Sequence, residues 1–283
     1  MSATKLAGVV GWPVQHSLSP QLHGYWLHEY GMDGAYVPLP VAPEDFSRAV
    51  DGLRRAGFAG VNVTVPHKQA AFALAHQLDD TALRTGAVNL LLFGARGTIQ
   101  GRNTDVLGLC ASVREELGPE IVQGKVAMVL GAGGAARAAV LAVAELGAAE
   151  IRIVNRTESR AKMLVSDLQP HVQARLVPLG SEGWPQAAQD AGLLVNATSG
   201  GMAGAAPLEL SLEALPQTAA VCDLVYNPLE TELMKQARVR GHKAMNGLGM
   251  LMHQAAPAFE AFFGVEPEVT PALRRELEQA LAK

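Results

Sequence analysis

The chain has 283 residues, of which 49% are hydrophobic and 18% are charged, and its formal net charge is −4. This composition is typical of a globular protein with one large or two medium-sized domains, and it excludes a disordered chain. No basic patch or arm is present, which argues against a nucleic-acid partner. No apolar run reaches the ~18 residues that a membrane span needs, so no membrane association is expected.

The N-terminus and the cysteines indicate a reducing compartment. Residues 1–11 contain one lysine and a short apolar run, without the cleavage pattern of a signal peptide. Cys110 and Cys222 stand in apolar segments and lack the spacing of metal ligands. We therefore expect two buried free thiols, no metal site and a cytoplasmic protein.

Strand and helix patterns alternate through the first part of the chain. They predict strands at 6–10, 36–39 and 61–65, and helices at 20–30 and 44–56. Pro66 is expected to open the next helix. Residues 88–93 and 98–101 flank a turn and predict a β-hairpin, which a helix over 105–117 follows. This alternation predicts a mostly parallel sheet covered by helices.

A second α/β pattern follows a connection at 118–120. Strands are predicted at 126–130, 151–154, 193–196 and 221–224, and helices at 135–146 and 158–168. Residues 200–207 are predicted to be a loop. The segment from Gly247 onward is predicted to be helical, with a polar helix from about Pro271.

A glycine-rich turn joins the first strand and helix of this second pattern. Gly131, Gly133 and Ala136 form a G-x-G-x-x-A motif. The first glycine allows a tight turn, the second lets a pyrophosphate approach the backbone, and the small third residue lets helix and strand pack closely. The alternative is a turn without a ligand. Because strand, turn, helix and strand occur in order, we predict a dinucleotide site.

The residues after the next strand indicate which dinucleotide binds. An NAD site usually has Asp or Glu there, about 20 residues beyond the glycines, to bind the ribose hydroxyls. Here the strand is followed by Asn155, Arg156 and Thr157, with Arg160 one turn further. Two guanidinium groups and a hydroxyl suit a 2′-phosphate, which favours NADP. The alternative is a helix start with two solvated arginines.

Lys68 and Asp105 are candidates for proton transfer. Lys68 follows a buried strand and lies in the first turn of the helix expected from Pro66. The positive end of the helix dipole favours a neutral amine there, whereas a neighbouring Asp105 carboxylate would favour the ammonium, and the sequence leaves open which effect dominates. The alternatives are an exposed surface lysine and a simple helix cap.

Other polar residues stand beside apolar segments. Ser17 and Ser19 precede a helix with Pro20 expected at its first position, so their hydroxyls could receive a carboxylate. The alternative is that Ser19 only caps the helix. Each of the remaining polar candidates is more often structural when taken alone; they are Asn62, Thr64, Asn89, Tyr226 and Gln254.

The chain resembles the shikimate dehydrogenase family along nearly its full length. The resemblance rests on blocks in the family's order, at 16–20, 61–68, 86–89, 103–105, 131–136, 155–157, 196–199, 223–226 and 246–251. Leu90 departs from the pattern, because the family usually has Thr after Gly-Ala-Val-Asn. Alternation along a strand turns Leu90 away from the face of Asn89, so we expect a change in packing.

The resemblance implies an α/β fold with two domains. Residues 1–104, completed by 248–283, would bind the substrate, and 105–247 would form a Rossmann-like NADP-binding domain. The implied activity is the reversible, NADP-dependent reduction of 3-dehydroshikimate to shikimate in aromatic amino acid (chorismate) biosynthesis, by a monomer or homodimer. The alternatives are quinate or aminoshikimate dehydrogenase activity, or a non-catalytic NADP-sensing regulator.

By position, the resemblance assigns Lys68 and Asp105 as the catalytic pair, which argues against a sensor. The residues that would bind substrate are Ser17, Ser19, Thr64, Lys68, Asn89, Asp105, Tyr226 and Gln254. Those that would bind the cofactor are Asp80, Gly131, Ala132, Gly133, Gly134, Ala135, Asn155, Arg156, Thr157, Arg160, Leu224 and Gly247. Ser17 and Ser19 favour shikimate over quinate.

Overall fold

The computed structural model describes residues 4–282, apart from the side chain of Pro119. The chain divides into two compact units, with boundaries after Thr104 and after Met250. The first unit therefore combines the N-terminal part of the chain with its C-terminal helices. The second unit is continuous in sequence.

The first unit contains a six-stranded mixed sheet with strand order β2-β1-β3-β5-β6-β4. Its strands are β1 (Lys5–Gly11), β2 (Gly34–Pro40), β3 (Gly60–Val63), β4 (Gln77–Leu78), β5 (Leu90–Phe93) and β6 (Ile99–Arg102). β1 runs parallel to β2 and β3, whereas β5 is antiparallel to β3 and β6. The predicted hairpin of β5 and β6 is confirmed. The helices here are α1 (Ser19–Glu29), α2 (Phe46–Arg55), α3 (Lys68–Leu74) and α4 (Asp80–Thr85).

The start of α3 corrects the sequence prediction. β3 ends at Val63, and the N–H of His67 donates to the carbonyl of Thr64 at 2.9 Å, which closes a turn over residues 64–67. Pro66 lies inside this turn, and the residue before a proline is disfavoured in helical conformation. Lys68 is consequently the first residue of the helix, and Pro66 does not open it.

The second unit contains a parallel six-stranded sheet. Its strands are β7 (Val126–Leu130), β8 (Glu150–Val154), β9 (Arg175–Leu179), β10 (Ala191–Asn196), β11 (Ala220–Asp223) and β12 (Ala244–Met245), in the order β12-β11-β10-β7-β8-β9. The order reverses between β7 and β10, which is the topological switch point of a doubly wound sheet. The helices are α5 (Asp105–Glu116), α6 (Gly134–Glu145), α7 (Glu158–Leu168), α8 (Trp184–Ala187) and α9 (Glu232–Val239).

Both faces of this parallel sheet are buried. Along β7, Ala127 and Val129 belong to one hydrophobic cluster, and Met128 and Leu130 belong to another. Burial on both faces is the reason that the strands of the second unit read as continuous apolar runs instead of alternating ones. The strand register places Leu130 opposite both Val154 and Asn196, so the carboxyl ends of these strands share one edge.

Two C-terminal helices complete the chain. α10 (Leu248–Phe263) begins in the second unit and continues into the first, and α11 (Pro271–Leu281) belongs to the first unit. Among residues 4–282, no helix is long and apolar enough to cross a membrane. Cys110 and Cys222 are buried free thiols, as predicted, and burial raises the pKa of the Cys110 thiol to about 12.

A buried histidine packs inside an aromatic cluster of the first unit. The ring of His23 stacks on Tyr36, with centroids 3.8 Å apart and planes 3° from parallel, and Trp26 and Phe259 contact its other sides. Neither ring nitrogen of His23 has a hydrogen-bond partner among the described residues. Burial lowers the pKa of His23 from 6.5 to about 3, so this side chain is neutral in the folded protein.

The neutral His23 predicts a loss of stability in acid. Because its pKa is lower in the folded than in the unfolded chain, its contribution is complete above pH 6.5 and is lost as the pH falls toward about 3. Over that window the free energy of unfolding should fall by up to about 1.4 kcal/mol per pH unit on account of this group. In H23F this slope should disappear, as measured by urea unfolding at several pH values.

The matched control is H28Q, because His28 is exposed on the same helix. H28Q should keep the acid-dependent slope of the native chain. Equal slopes in H23F and the native chain would show that His23 does not set the acid sensitivity.

Candidate active site

The loops after β1 and β3 meet at one edge of the first sheet. β1 and β3 pair with Val10 opposite Val63, and the N–H of Thr64 donates to the carbonyl of Val10 at 2.9 Å. A Cβ on Gly11 would lie 2.5 Å from Cγ2 of Thr64, so this close approach requires glycine. Thr64, predicted to bind substrate, therefore stands beside the start of the β1–α1 loop.

Ser17 and Ser19 lie at the N-terminus of α1. The helix begins at Ser19, its N-cap residue is Leu18, and Pro20 occupies the second helical position, one later than predicted. The hydroxyl of Ser17 accepts a hydrogen bond from the N–H of Ser19 at 3.3 Å. Ser19 thus does not cap the helix. Both hydroxyls stand at the positive end of an 11-residue helix, where a carboxylate would be stabilised.

Lys68 is half-buried as the first residue of α3. Its carbonyl accepts a hydrogen bond from the N–H of Val88 at 2.9 Å. This bond ties the first turn of α3 to the segment that carries Asn89. The backbone therefore holds Lys68 and Asn89 in the same part of the first unit.

Asn89 and Gln254 are in direct contact although 165 residues separate them. The Nδ2 of Asn89 donates to Gln254 Oε1 at 3.2 Å and to Thr104 Oγ1 at 2.9 Å, and its Oδ1 accepts from the N–H of Thr104 at 2.8 Å. The hydroxyl of Thr104 donates in turn to the carbonyl of Gln254 at 2.9 Å. Thr104, which was not predicted as a site residue, therefore fixes the orientation of the Asn89 carboxamide.

Asp79 anchors the segment that leads to Thr104. Its carboxylate caps α4 by accepting from the N–H of Ala82 at 2.7 Å, and it also accepts from the N–H of Asn103 at 3.3 Å. Burial raises the pKa of Asp79, and these backbone hydrogen bonds oppose that rise. Sequence reasoning missed Asp79, although the pattern of an Asp before a short helix is an N-cap signal.

Two further residues of the first unit were singled out from the sequence. Leu90 is fully buried and pairs with Asn62 and Arg102 in the sheet, which agrees with a packing role. Asp80 is exposed on α4, and within the described residues its carboxylate lies 3.8 Å from Arg84. An exposed position leaves Asp80 free to touch a ligand but does not create a binding pocket.

The glycine turn of the second unit has the geometry that an anion site needs. Gly131 has a φ of +107°, which favours glycine, and its N–H donates to the carbonyl of Val154 at 2.9 Å. A Cβ on Gly133 would meet no atom within 4 Å, so the surface over the turn is open. α6 begins at Gly134 without a side-chain cap. The first amides of a 12-residue helix therefore face open space, an arrangement that suits a pyrophosphate.

The residues after β8 present two cations to solvent. Arg156, Thr157 and Arg160 are exposed, and the Nδ2 of Asn155 donates to the carbonyl of Thr157 at 2.8 Å, which fixes the turn. Within residues 4–282, neither Arg156 nor Arg160 forms an ion pair. Arg156 also borders a cavity of ≈ 440 Å³ that includes Ser181. Two uncompensated guanidinium groups beside the glycine turn suit a phosphate ester.

A buried polar network lies at the carboxyl ends of β10 and β11. Asn196 Nδ2 donates to Asp223 Oδ1 at 2.9 Å, and the hydroxyl of Thr231 donates to Asp223 Oδ2 at 2.6 Å. Burial raises the pKa of Asp223, and the hydrogen bonds from Thr231, Val225 and Asn196 lower it. These network residues were not predicted as site residues.

The backbone at Leu224 and Gly247 is closely packed. A Cβ on Gly247 would lie 2.0 Å from the carbonyl oxygen of Leu224, so only glycine fits there. Tyr226, in the same segment as Leu224, is half-buried, and Asp105 is buried as the first residue of α5. In the described part of the chain, no group of three His, Cys, Asp or Glu side chains could hold a metal ion.

The strand order, the glycine turn and the two exposed arginines define a dinucleotide-binding α/β protein. Family models match along the chain in three segments. They are the shikimate dehydrogenase substrate binding domain at residues 9–91, shikimate / quinate 5-dehydrogenase at 114–201, and the shikimate 5′-dehydrogenase C-terminal domain at 247–277. The chain belongs to the shikimate dehydrogenase family.

Relatives align with nearly the full length of the chain. The shikimate dehydrogenase (NADP(+)) of Methylobacterium radiotolerans is 50% identical over 283 residues, which span 99% of both chains. A crystal structure of shikimate 5-dehydrogenase from Thermus thermophilus, in complex with NADP(H) and shikimate, superposes with a TM-score of 0.82 at 36% identity over 98% of both chains. Quinate dehydrogenase from Corynebacterium glutamicum, in complex with NAD, gives a TM-score of 0.87 at 29% identity over 99% of both chains.

The Thr104 bridge predicts a difference between two substitutions. T104V removes the hydroxyl that accepts from Asn89 and donates to the carbonyl of Gln254, whereas T104S keeps it. Because T104V removes these two hydrogen bonds and places a methyl group beside buried polar atoms, the free energy of unfolding should fall by about 1–3 kcal/mol, with a smaller loss in T104S. Urea unfolding of both variants measures the difference, and equal stability would contradict the bridge.

Proposed function

We propose that this chain catalyses the NADP-dependent, reversible reduction of 3-dehydroshikimate to shikimate. The observation that carries the proposal is its 50% identity, over 99% of both chains, to a shikimate dehydrogenase (NADP(+)). The geometry supports it, because the second unit has an open glycine turn at a helix N-terminus. In the first unit, hydrogen bonds join Asn89, Thr104 and Gln254, and the carbonyl of Lys68 accepts from the N–H of Val88 beside Asn89. The chain is an oxidoreductase in this proposal, and it serves aromatic amino acid (chorismate) biosynthesis in the cytoplasm as a monomer or homodimer.

The two units divide the binding tasks. The first unit, with α11 and most of α10, binds the substrate, and the match of residues 9–91 to a substrate binding domain supports this role. The second unit binds NADP, in agreement with its doubly wound sheet. The division after Thr104 leaves Lys68 in the first unit and Asp105 at the start of the second.

The second unit supplies the contacts to the cofactor. The amides of residues 131–135 and the positive end of α6 hold the pyrophosphate. The 2′-phosphate side is bound by Asn155, Arg156, Thr157 and Arg160. The backbone at Leu224 and Gly247 flanks the nicotinamide, and Asp80 touches the cofactor edge. When bound, the nicotinamide supplies or takes up the hydride.

The substrate is held by its carboxylate and its ring hydroxyls. Ser17 and Ser19 donate to the carboxylate, next to the positive end of α1. The ring hydroxyls or the carboxylate are bound by Thr64, Asn89, Tyr226 and Gln254. The orientation of Asn89 is already set by Thr104 before any substrate arrives, which lowers the entropic cost of binding.

Lys68 and Asp105 transfer the one proton that the reaction requires. In the reduction, Lys68 gives a proton to the oxygen of the forming alkoxide at the carbon that accepts hydride. In the oxidation, Lys68 takes that proton from the hydroxyl, directly or through Asp105.

Quinate dehydrogenase activity is the second candidate. The similarity to the NAD-bound quinate dehydrogenase of C. glutamicum, with a TM-score of 0.87, favours it at the level of fold. The exposed Arg156 and Arg160 favour a cofactor with a 2′-phosphate instead. Aminoshikimate as substrate and a non-catalytic NADP sensor have no specific support, and a sensor needs no proton-transfer pair.

The experiment that separates these candidates follows the absorbance of reduced nicotinamide. Purified protein is mixed with shikimate or quinate, each with NADP⁺ or NAD⁺. The proposal expects strong turnover with shikimate and NADP⁺ alone. Preference for quinate or for NAD⁺ would overturn the specificity, and no turnover in any combination would favour the sensor.

Replacement of Lys68 should remove catalysis and leave cofactor binding intact. In K68A and in the near-isosteric K68M, kcat should fall by about 10²–10⁴-fold, because the proton donor is lost. The Kd for NADP⁺, measured by calorimetry, should stay unchanged. The control is K235A, which removes an exposed lysine of α9 and should keep full activity. Unchanged turnover in K68A would refute the role of Lys68.

Replacement of the exposed arginines should weaken NADP binding selectively. R156A and R160A each remove charge-assisted bonds of about 1.5–3 kcal/mol, so the Kd for NADP⁺ should rise about 10- to 100-fold. Binding of NAD⁺, which lacks the 2′-phosphate, should change little. R175A is the control, because it removes an exposed arginine of the same unit that pairs with Glu150. Parallel losses of NADP⁺ and NAD⁺ affinity would contradict the 2′-phosphate role.

A further inference from the structure

We propose that Asp223, with Thr231 and Asn196, is a positioning residue that holds the segment 224–226 in its working geometry. This inference rests on the proposed function, in which the backbone at Leu224 flanks the nicotinamide and Tyr226 contacts the substrate. Asp223 acts through that segment and does not itself touch the reacting atoms.

The carboxylate of Asp223 is completely buried and is met by three donors. The hydroxyl of Thr231 donates at 2.6 Å, Nδ2 of Asn196 at 2.9 Å, and the N–H of Val225 at 3.1 Å. Among the described residues, no Lys, Arg or His forms an ion pair with this carboxylate. A buried anion without a cation is costly and is tolerated only when hydrogen bonds satisfy it.

The bond to Val225 fixes the point where the chain leaves the sheet. The N–H of Leu224 donates to the carbonyl of Asn196 at 3.0 Å, and the carbonyl of Val225 accepts from the N–H of Gly247 at 3.1 Å. The absence of a side chain at Gly247 lets its backbone pack against Leu224. The segment is therefore held from the end of β10, from Gly247 and from the Asp223 carboxylate.

An ionised carboxylate matches these three donors better than any neutral side chain of the same size. A carboxylate only accepts hydrogen bonds, whereas an amide or a protonated acid presents a donor of its own. In D223N an N–H would replace one acceptor and would face Thr231 or the donors of Asn196 and Val225. The segment would then lose at least one of its holding bonds.

Asn196 extends the network toward the glycine turn. Its Oδ1 accepts from the hydroxyl of Thr198 at 2.7 Å and from the N–H of Thr198 at 3.1 Å. A Cβ on Gly131 would lie 3.2 Å from Cγ2 of Thr198, so Thr198 packs directly beside the turn. The two bonds from Thr198 involve neither Asp223 nor Thr231, so D223N and T231V should leave the wall of the glycine turn in place.

Thr231 has a second role that the test must separate. It is the N-cap of α9 and accepts a hydrogen bond from the N–H of Met234 at 3.2 Å. Thr270 caps α11 in the same way, accepting from the N–H of Leu273 at 3.2 Å. α11 belongs to the first unit, and Thr270 does not bond to Asp223. T270V is therefore a matched control for the loss of a threonine cap.

The test compares D223N, T231V, T231S and T270V in the full-length protein. Two ligands are titrated by calorimetry: NADP⁺, and adenosine 2′,5′-bisphosphate, which has no nicotinamide. We expect kcat to fall about 10- to 100-fold in D223N and T231V, because small displacements of a reacting group are costly. The Kd for NADP⁺ should rise, whereas that for the bisphosphate should stay within about twofold of the native value. T231S should restore activity, and T270V should match the native kcat.

Two results would overturn the proposal. The first is native kcat and NADP⁺ affinity in both D223N and T231V. The second is an equal loss of affinity for NADP⁺ and for the bisphosphate, which would indicate general damage to the second unit. If D223N does not fold, T231V decides, because it keeps the carboxylate.

The native protein in the same assay separates this proposal from the proposed function. If the native protein turns over quinate instead of shikimate, the assigned substrate changes. The ratio of each variant's kcat to the native kcat, measured with quinate, then still tests the role of Asp223. If the native protein turns over neither, the proposed function fails, and the difference in affinity between the two titrated ligands still decides the role of Asp223.

Discussion

Parallel strand pairing is the constraint on which the arrangement of the second unit depends. In a parallel sheet all carboxyl ends face one edge, and the register here aligns Leu130 with Val154 and Asn196, and Asn196 with Asp223. The glycine turn, the arginine-bearing turn and the buried carboxylate follow these ends, so they gather at that edge without any long-range signal in the sequence. Apolar side chains cover both faces of this sheet, which is typical of a parallel sheet.

The first unit reaches a similar result with a mixed sheet. Thr64 follows the carboxyl end of β3, and Asn89 precedes the amino end of β5. Because the two strands are antiparallel, both residues lie at the same edge of the sheet. Thr104 follows β6 and closes the group by bonding to Asn89 and to Gln254 from α10. α10 therefore belongs to this hydrogen-bonded group, and the first unit includes residues from both ends of the chain.

Local patterns were sufficient for most of the fold and for part of the candidate site. The segment from β7 to α7 was predicted almost to the residue, because the glycine motif and long apolar strands are local signals. β4, α4 and β9 were not predicted. β4 and α4 are too short to show a hydrophobic period, and β9 contains Pro178 and lies at the edge of its sheet, where strand propensity is a weak guide. The Pro66 prediction was wrong because a turn occupies residues 64–67.

The polar networks could not be predicted. The contact of Asn89 with Gln254 joins residues far apart in sequence, and only the packed fold brings them together. The sequence shows only that Asp223 ends an apolar strand. Its three hydrogen-bond donors come from different segments, and only the folded chain brings them to its carboxylate. Residue type therefore indicated which side chains could take part in the chemistry, whereas the hydrogen bonds that orient them required the structure.

The central claim of the proposal is that the second unit supplies the phosphate contacts of the cofactor, whereas the first unit supplies most of the contacts to the substrate. Backbone hydrogen exchange with each ligand added alone tests it most directly. NADP⁺ should slow exchange at residues 131–137 and 155–160, and shikimate should slow it at 17–19, 64–68 and 88–90. Protection by NADP⁺ that leaves 131–137 unchanged, or protection by shikimate confined to the second unit, would contradict the account.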